Sequence, residues 1–342
     1  MFRSSINLKA PYLIFFGDVR DQLNAKTGLG VAHWAPERCA GQMKFSGCRI
    51  ESGLPNLGLQ EALKARVRTV IIGVAPTGGQ LKETWLPPLL EFARAGIDIA
   101  AGLHSKLADI PELVKAAQSG GARLVDVRIP PANLPCGSGR RRTGKRVLTV
   151  GTDCAVGKKY SALALHRELV RRGIDATFRA TGQTGIMIAG EGIPIDAVVA
   201  DFVAGAAEVL SPDNDDAHWD VIEGQGSLVH PGYAGVTLGL MHGSQPDALV
   251  LCHDASRDSV LDVDGYFPIP PLDEFIDRAL TAARLTNPEC LCAGISVNTS
   301  MLTGDERAAY LEALTKKHGM PAVDPIAIGV HAIADYLLGQ VR

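Results

Sequence analysis

Aromatic residues are scarce, only 5% of 342, and they leave no obvious stripe for a partner surface. Charge of one sign is not in excess either. A net charge of −3 and a pI near 6.3 exclude a dedicated nucleic-acid binder, whose domains are strongly basic. No apolar run approaches the roughly 20 residues that span a bilayer. The apolar stretch at residues 12–16 is too short for a secretory signal and runs into Asp18. The seven cysteines (39, 48, 136, 154, 252, 290 and 292) form no C-x-x-C pair and have no His-x-x-x-His partner. No metal is therefore expected, and buried apolar thiols in a reducing cytoplasm are. Cys290 and Cys292 alternate in a β-like run, so both are expected on one side of a strand. What is present is a globular composition, 46% hydrophobic and 21% charged, with 37 glycines. The length suits two domains.

Short β-rich runs alternate with helical stretches, the pattern of a parallel α/β sheet. In the first part, strands are expected at 12–16, 69–75, 97–100 and 123–127. Helices are expected at 57–66, 82–95 and 111–119, with Gly96 and Gly120 as terminators. Residues 129–142 read IPPANLPCGSGRRR and have linker composition. The basic run 140–146 lacks interleaved aromatics, so it reads as solvated linker charge. This places a Rossmann-like domain at 1–138 and a P-loop NTPase-like α/β domain at 139–342. In the second part, strands are expected at 146–150, 175–180, 219–223, 247–252 and 291–297. Helices are expected at 158–172, 199–210, 272–285, 305–318 and 329–338.

The strongest local signal is GTDCAVGKK: Gly151, Thr152, Asp153, Cys154, Ala155, Val156, Gly157, Lys158 and Lys159, followed by Tyr160. It follows the apolar strand VLTV and opens a helix whose Ala162, Leu165 and Leu169 recur at core-facing spacing. Such a loop turns successive N–H groups into one concavity at a helix N-terminus, where an anion is favoured. Lys158 adds a point charge for phosphate oxygens. Five residues, not four, separate Gly151 from Gly157, a spacing that resembles the dethiobiotin synthetase and cobyrinic acid synthase type of P-loop. Position 159 is lysine where Ser or Thr normally holds Mg²⁺. Ser161, two residues on, is turned by about 200° and does not replace it. The loop thus suits a phosphate ligand without the usual metal, or with metal held differently.

A strand delivers Glu223 in WDVIEGQGS, and carboxyl ends of strands are where open α/β sheets bind ligands. The stretch after it reads as one long glycine-rich loop, with glycines at 232, 235, 239 and 243 suited to close ligand approach. It carries His230 and His242, and His253 follows another strand, so at least one of these histidines is expected to titrate in the mechanism. In ATGQTGI, Gln183 and Thr184 are polar groups suited to a substrate carboxylate or amide. Gly28-Leu29-Gly30 begins a dinucleotide-type motif that fails at His33. Residues 26–50 read as a helix-poor loop that holds Lys26, Thr27, Arg38, Lys44 and Arg49.

As a set, VGTDCAVGKK, ATGQTGI, DAVVADFVAGAAE, WDVIEGQGSL and GLMHGSQPDALVLCH resemble the D-glutamate N-acetyltransferase family of P-loop proteins, long classed as a domain of unknown function. The resemblance is dense over 147–253 and looser toward both ends. It implies acetyl transfer from acetyl-CoA, as cosubstrate, to the α-amino group of D-glutamate in D-amino-acid catabolism. Coenzyme A carries phosphates but needs no hydrolytic metal, which agrees with Lys159. On this resemblance Glu223 is the first candidate for the base and His230 the second. N–H groups around Gly226 and the catalytic candidate Ser227 are the oxyanion donors, and Gln225 and Gly226 are expected to bind substrate. Lys26, Arg179 and Gln183 are the expected partners of the substrate carboxylates. The competing readings are an ATP-dependent ligase or kinase and a non-catalytic nucleotide-binding regulator. A cytoplasmic protein with no nucleic-acid or membrane partner is expected, and a homodimer is expected on base rates alone.

Overall fold

The computed structural model describes residues 6–22, 24–74, 81–103, 105–261 and 263–341. Ala75, the last residue of one expected strand, lies outside them. The chain divides into two compact units. One takes the chain up to Pro131 together with Gly182–Ala197, and the other takes Ala132–Thr181 and Val198–Arg342. The units therefore differ from a single cut at residue 138, because a short segment from the phosphate-loop half belongs to the N-terminal unit.

In the first unit five parallel strands lie in the spatial order Cys39–Lys44, Tyr12–Gly17, Thr69–Ile72, Asp98–Ala101 and Leu124–Asp126. Tyr12–Gly17 reads YLIFFG and is buried at every position, as a central parallel strand covered on both faces must be. Along the chain the order is 2-1-3-4-5, a doubly wound arrangement whose switch point lies between Tyr12–Gly17 and Thr69–Ile72. The helix Pro111–Gly120 starts on proline and ends at Gly121, whose φ of 71° only glycine adopts without strain. Residues 26–50 are not the expected helix-poor loop: they form the helix Lys26–Trp34 and the edge strand Cys39–Lys44. Two glycines in KTGLGVAHW weaken the helical signal, yet Gly28 is what lets the helix seat. A Cβ there would stand 2.6 Å from Phe16 Cε1 and 3.0 Å from Gly73 Cα.

In the second unit six parallel strands run Ala322–Val323, Leu291–Asn298, Ala248–Asp254, Lys145–Gly151, Trp219–Ile222 and Ala176–Arg179. The helix Lys158–Arg171 buries Ala162, Leu165 and Leu169, as its periodicity requires. Gly304–His318 is closed at its start by a reciprocal Thr303–Glu306 capping box and at its end by Gly319. Cys252, Cys290 and Cys292 are buried free thiols, whereas Cys136 is exposed. Burial pushes Cys252 and Cys292 up to about 11.

Two expectations fail here for tertiary reasons. The stretch after Glu223 is not one long loop, since Ala234–Ser244 is a helix. Its glycines at 235, 239 and 243 repeat every four residues, and two of them serve helix packing rather than ligand approach. A Cβ on Gly243 would lie 2.1 Å from the Ala204 carbonyl, and one on Gly239 would lie 2.7 Å from Val203 Cγ1. The basic run 140–146 is not wholly solvated, because Arg142 and Arg146 are buried. Arg146 donates to the carbonyls of Arg142, Thr143, Gly144 and Pro212 and to Ser211 Oγ, so its guanidinium organises the turn that precedes the first strand of this unit.

Candidate functional site

The strand Lys145–Gly151 ends in the loop that the sequence singles out. Ala155 and Gly157 both take left-handed conformations, with φ of 54° and 101°, and the backbone turns there into the helix. A non-glycine residue at positive φ is a strained position of the kind found in ligand clamps. Lys158 is buried, and its Nζ donates to the Asp153 carbonyl at 2.7 Å. Burial pulls its ammonium below the ordinary lysine range, against the raising influence of Cys154, Cys252, Asp153 and Glu223. Lys159 is half-buried, with Nζ 4.6 Å from the Tyr160 ring centroid.

Glu223 stands directly after the strand Trp219–Ile222 and is 3% exposed. Its Oε2 accepts the Thr181 N–H at 2.9 Å, and its carbonyl accepts Thr181 Oγ1 at 2.7 Å. Gly224 ties this motif to the phosphate loop: a Cβ there would meet the Thr149 carbonyl at 1.7 Å and Lys158 Cδ at 3.1 Å. The fold therefore brings Glu223 beside Lys158, as strand-end topology suggested. Thr181 escaped the sequence reading. It belongs to ATGQTGI, but its role depends on a strand that arrives some forty residues later. Gln225 Nε2 donates to the same Thr181 Oγ1 at 3.0 Å, and the Gln225 carbonyl accepts Thr237 Oγ1 at 2.7 Å. Gly226, at φ 65°, sits 2.5 Å short of the Tyr233 carbonyl for any Cβ.

Other expected residues have different positions. Ser227 is fully buried, and its Oγ and carbonyl accept the N–H groups of Val229 and His230, a local turn. His230 Nδ1 accepts the Gly232 N–H at 3.0 Å, so Nε2 carries the proton and donates to the Leu261 carbonyl at 3.1 Å. Both ring nitrogens are thus committed to backbone. His253 Nδ1 lies 3.0 Å from Thr152 Oγ1, and burial holds this imidazole neutral. His242 Nε2 bonds the Ala282 carbonyl. None of the three histidines is placed as a poised base. Arg179 Nε donates to buried Asp220 at 2.6 Å. Asp220 lies two register positions back from the residue paired with Arg179, so the guanidinium points away from the strand ends. That geometry removes Arg179 from the expected substrate ligands.

In the first unit, Thr27 Oγ1 and Thr184 Oγ1 lie 3.3 Å apart, which puts Lys26, at the start of its helix, near the helix Gln183–Ala189. Gly102, just after the strand Asp98–Ala101, lies under the Gln183 amide, and a Cβ there would fall 2.2 Å from Oε1. The helices that carry Lys26 and Gln183–Thr184 are therefore neighbours despite their separation in sequence.

Asp153, Cys154 and His230 place one ligand atom each within 4.8 Å of one another. They do not fit a metal as they stand. Asp153 accepts the Cys154 and Leu261 N–H groups and Arg257 Nη1, and His230 is bonded at both nitrogens. The usual phosphate-bridging Mg²⁺ is not provided for either. Position 159 has no hydroxyl, and Ser161 Oγ bonds the Gly157 carbonyl and lies 2.7 Å from Ser296 Oγ.

A phosphate loop with a buried lysine, set beside a carboxylate at the end of the adjoining strand, defines a P-loop α/β protein. The chain belongs to the DUF1611 family: residues 135–334 match the "Domain of unknown function (DUF1611_C) P-loop domain" and 38–130 match the DUF1611_N "Rossmann-like domain". It is similar to a D-glutamate N-acetyltransferase of Tritonibacter scottomollicae, 48% identical over 96% of this chain and 99% of the relative. A D-glutamate N-acetyltransferase from a Pseudoalteromonas species is 45% identical, over 96% and 98%. The crystal structure of a DUF1611 family protein from Anabaena variabilis superposes with a TM-score of 0.81 at 34% identity, covering 97% of this chain and all of that one.

Proposed function

We propose that the protein transfers the acetyl group of acetyl-CoA to the α-amino group of D-glutamate. The observation that carries this reading is identity of 48% and 45%, over nearly the whole chain, with two relatives named for that reaction. The site chemistry supports it. A phosphate loop with Lys158 and Lys159, and without a hydroxyl for Mg²⁺, suits a donor whose phosphates are held rather than cleaved. The acceptor amine arrives as an ammonium and must lose a proton before it attacks the thioester carbonyl. Glu223, oriented by Thr181, is the group assigned to take that proton. Backbone N–H groups of the glycine segment after Glu223 steady the tetrahedral oxyanion. As it collapses to the amide the nitrogen gives up its second proton, the carbon–sulfur bond breaks, and that proton leaves with the CoA sulfur as free thiol. Among the described residues no helix is long and apolar enough to cross a membrane, and the reading places the enzyme in the cytoplasm as a homodimer.

The test is direct. Purified protein with acetyl-CoA and either D- or L-glutamate is followed for free thiol. D-glutamate is expected to release thiol and L-glutamate to release little. ATP turnover without thiol release from any amino acid would overturn the reading.

A further inference from the structure

The loop Gly151–Lys159 is gripped from outside by the segment that follows the neighbouring strand Ala248–Asp254. Arg257 Nη1 donates to Asp153 Oδ2 at 3.1 Å and to the Cys154 carbonyl at 2.7 Å. The Leu261 N–H donates to the same Asp153 oxygen at 3.0 Å. Arg257 is steadied in turn by Asp254, whose Oδ2 lies 3.7 Å from Nε. Asp254 accepts the Ser256 N–H and hydroxyl and the Asn298 amide, which fixes it between two strand ends. Asp153 is fully buried, so these donors take the place of water around its carboxylate.

A phosphate cradle works only if its N–H groups face the ligand and its carbonyls face away. Here the Cys154 carbonyl is claimed from outside the cradle by Arg257. We infer that Arg257 is a positioning residue for the phosphate loop: it turns the Cys154 carbonyl out and locks Asp153, so that a pyrophosphate-bearing donor meets N–H groups and Lys158 instead of carbonyl dipoles. This rests on the proposed role of the loop as the donor's phosphate site and does not depend on which acyl group is moved. Arg257 acts through Asp153 and Cys154, so losing the Asp153 carboxylate removes part of what losing Arg257 removes.

The experiment uses the full chain and its Arg257→Ala, Asp153→Asn, double and Arg257→Lys variants. Inorganic pyrophosphate and CoA serve as calorimetric probes beside thiol-release kinetics. Arg257→Ala is expected to weaken both probes by about 10-fold, the scale of one charge-assisted hydrogen bond. KM for acetyl-CoA rises in step, while kcat and the amino-acid KM hold. Asp153→Asn weakens both probes by less, since the Arg257 bond to the Cys154 carbonyl remains, and the double variant is no worse than Arg257→Ala. Added guanidinium ion restores affinity to Arg257→Ala. Arg257→Lys keeps the charge but not the forked donor, and falls between; it decides the matter if the alanine variant does not fold. Unchanged probe affinity, additive losses, a loss in kcat alone, or a wild-type chain that binds neither probe would each overturn the inference. Weakened pyrophosphate binding in Arg257→Ala with no thiol release from the wild type leaves the positioning role standing and removes acetyl transfer.

Discussion

Lys158→Ala is expected to weaken CoA binding by about 100-fold, the equivalent of about 2–3 kcal/mol for a charge-assisted hydrogen bond to phosphate. The lysine is buried, and its ammonium sits on the Asp153 carbonyl over Gly151, where a Cβ would meet Nζ at 2.9 Å. A bound phosphate takes that donor from a neutral carbonyl and gives it a full anionic partner. Burial holds the ammonium below the usual lysine range. The charged form is the one that binds, so donor affinity is full below that pKa and is lost as pH rises through it. The decline is expected to begin at lower pH than an ordinary lysine would set, and the alanine variant should lack it. Isothermal titration of CoA across a pH series measures both effects. Equal affinity in wild type and variant would place the phosphate site elsewhere.

Glu223→Gln is expected to lower kcat by about 100- to 10,000-fold, the range for removing a general base, with CoA affinity at neutral pH nearly unchanged. The substitution is nearly isosteric and keeps an oxygen for the Thr181 N–H, now 2.9 Å from Oε2, so the loop geometry should survive. Glu223 also supports the charge on Lys158, so the high-pH decline in donor affinity should move to lower pH. A variant with wild-type kcat would remove Glu223 from the chemistry, and one that lost CoA binding and turnover together would make it a structural partner of the loop.

The glycine segment and the arginines show where sequence reading stopped. Glycines spaced by four in Ala234–Ser244 carry the same letters as a ligand loop. Only the approach of Val203 and Ala204 shows that they let two helices touch. Arg179 looks like a free cation at a strand end, but its partner Asp220 comes from a strand formed some forty residues later. His230 sits in the right segment, and its two backbone hydrogen bonds depend on where Leu261 and Gly232 come to rest.

The amino-acid sequence by itself determined the alternation of strands and helices, the phosphate loop with its missing hydroxyl, and the carboxylate delivered by a strand. Each of these is local: a hydrophobic period, a glycine at a turn, a residue type at a spacing. Tertiary structure alone decided that Thr181 orients Glu223, that Arg257 clamps Asp153, that Gln183 lies on Gly102 in the first unit, and that Arg179 and His230 are already committed. Those pairings join strand ends and loops from distant parts of the chain. A buried polar group takes whichever partner the packing brings, because leaving it unpaired costs about 1–3 kcal/mol, and that choice is not written at the residue's own position.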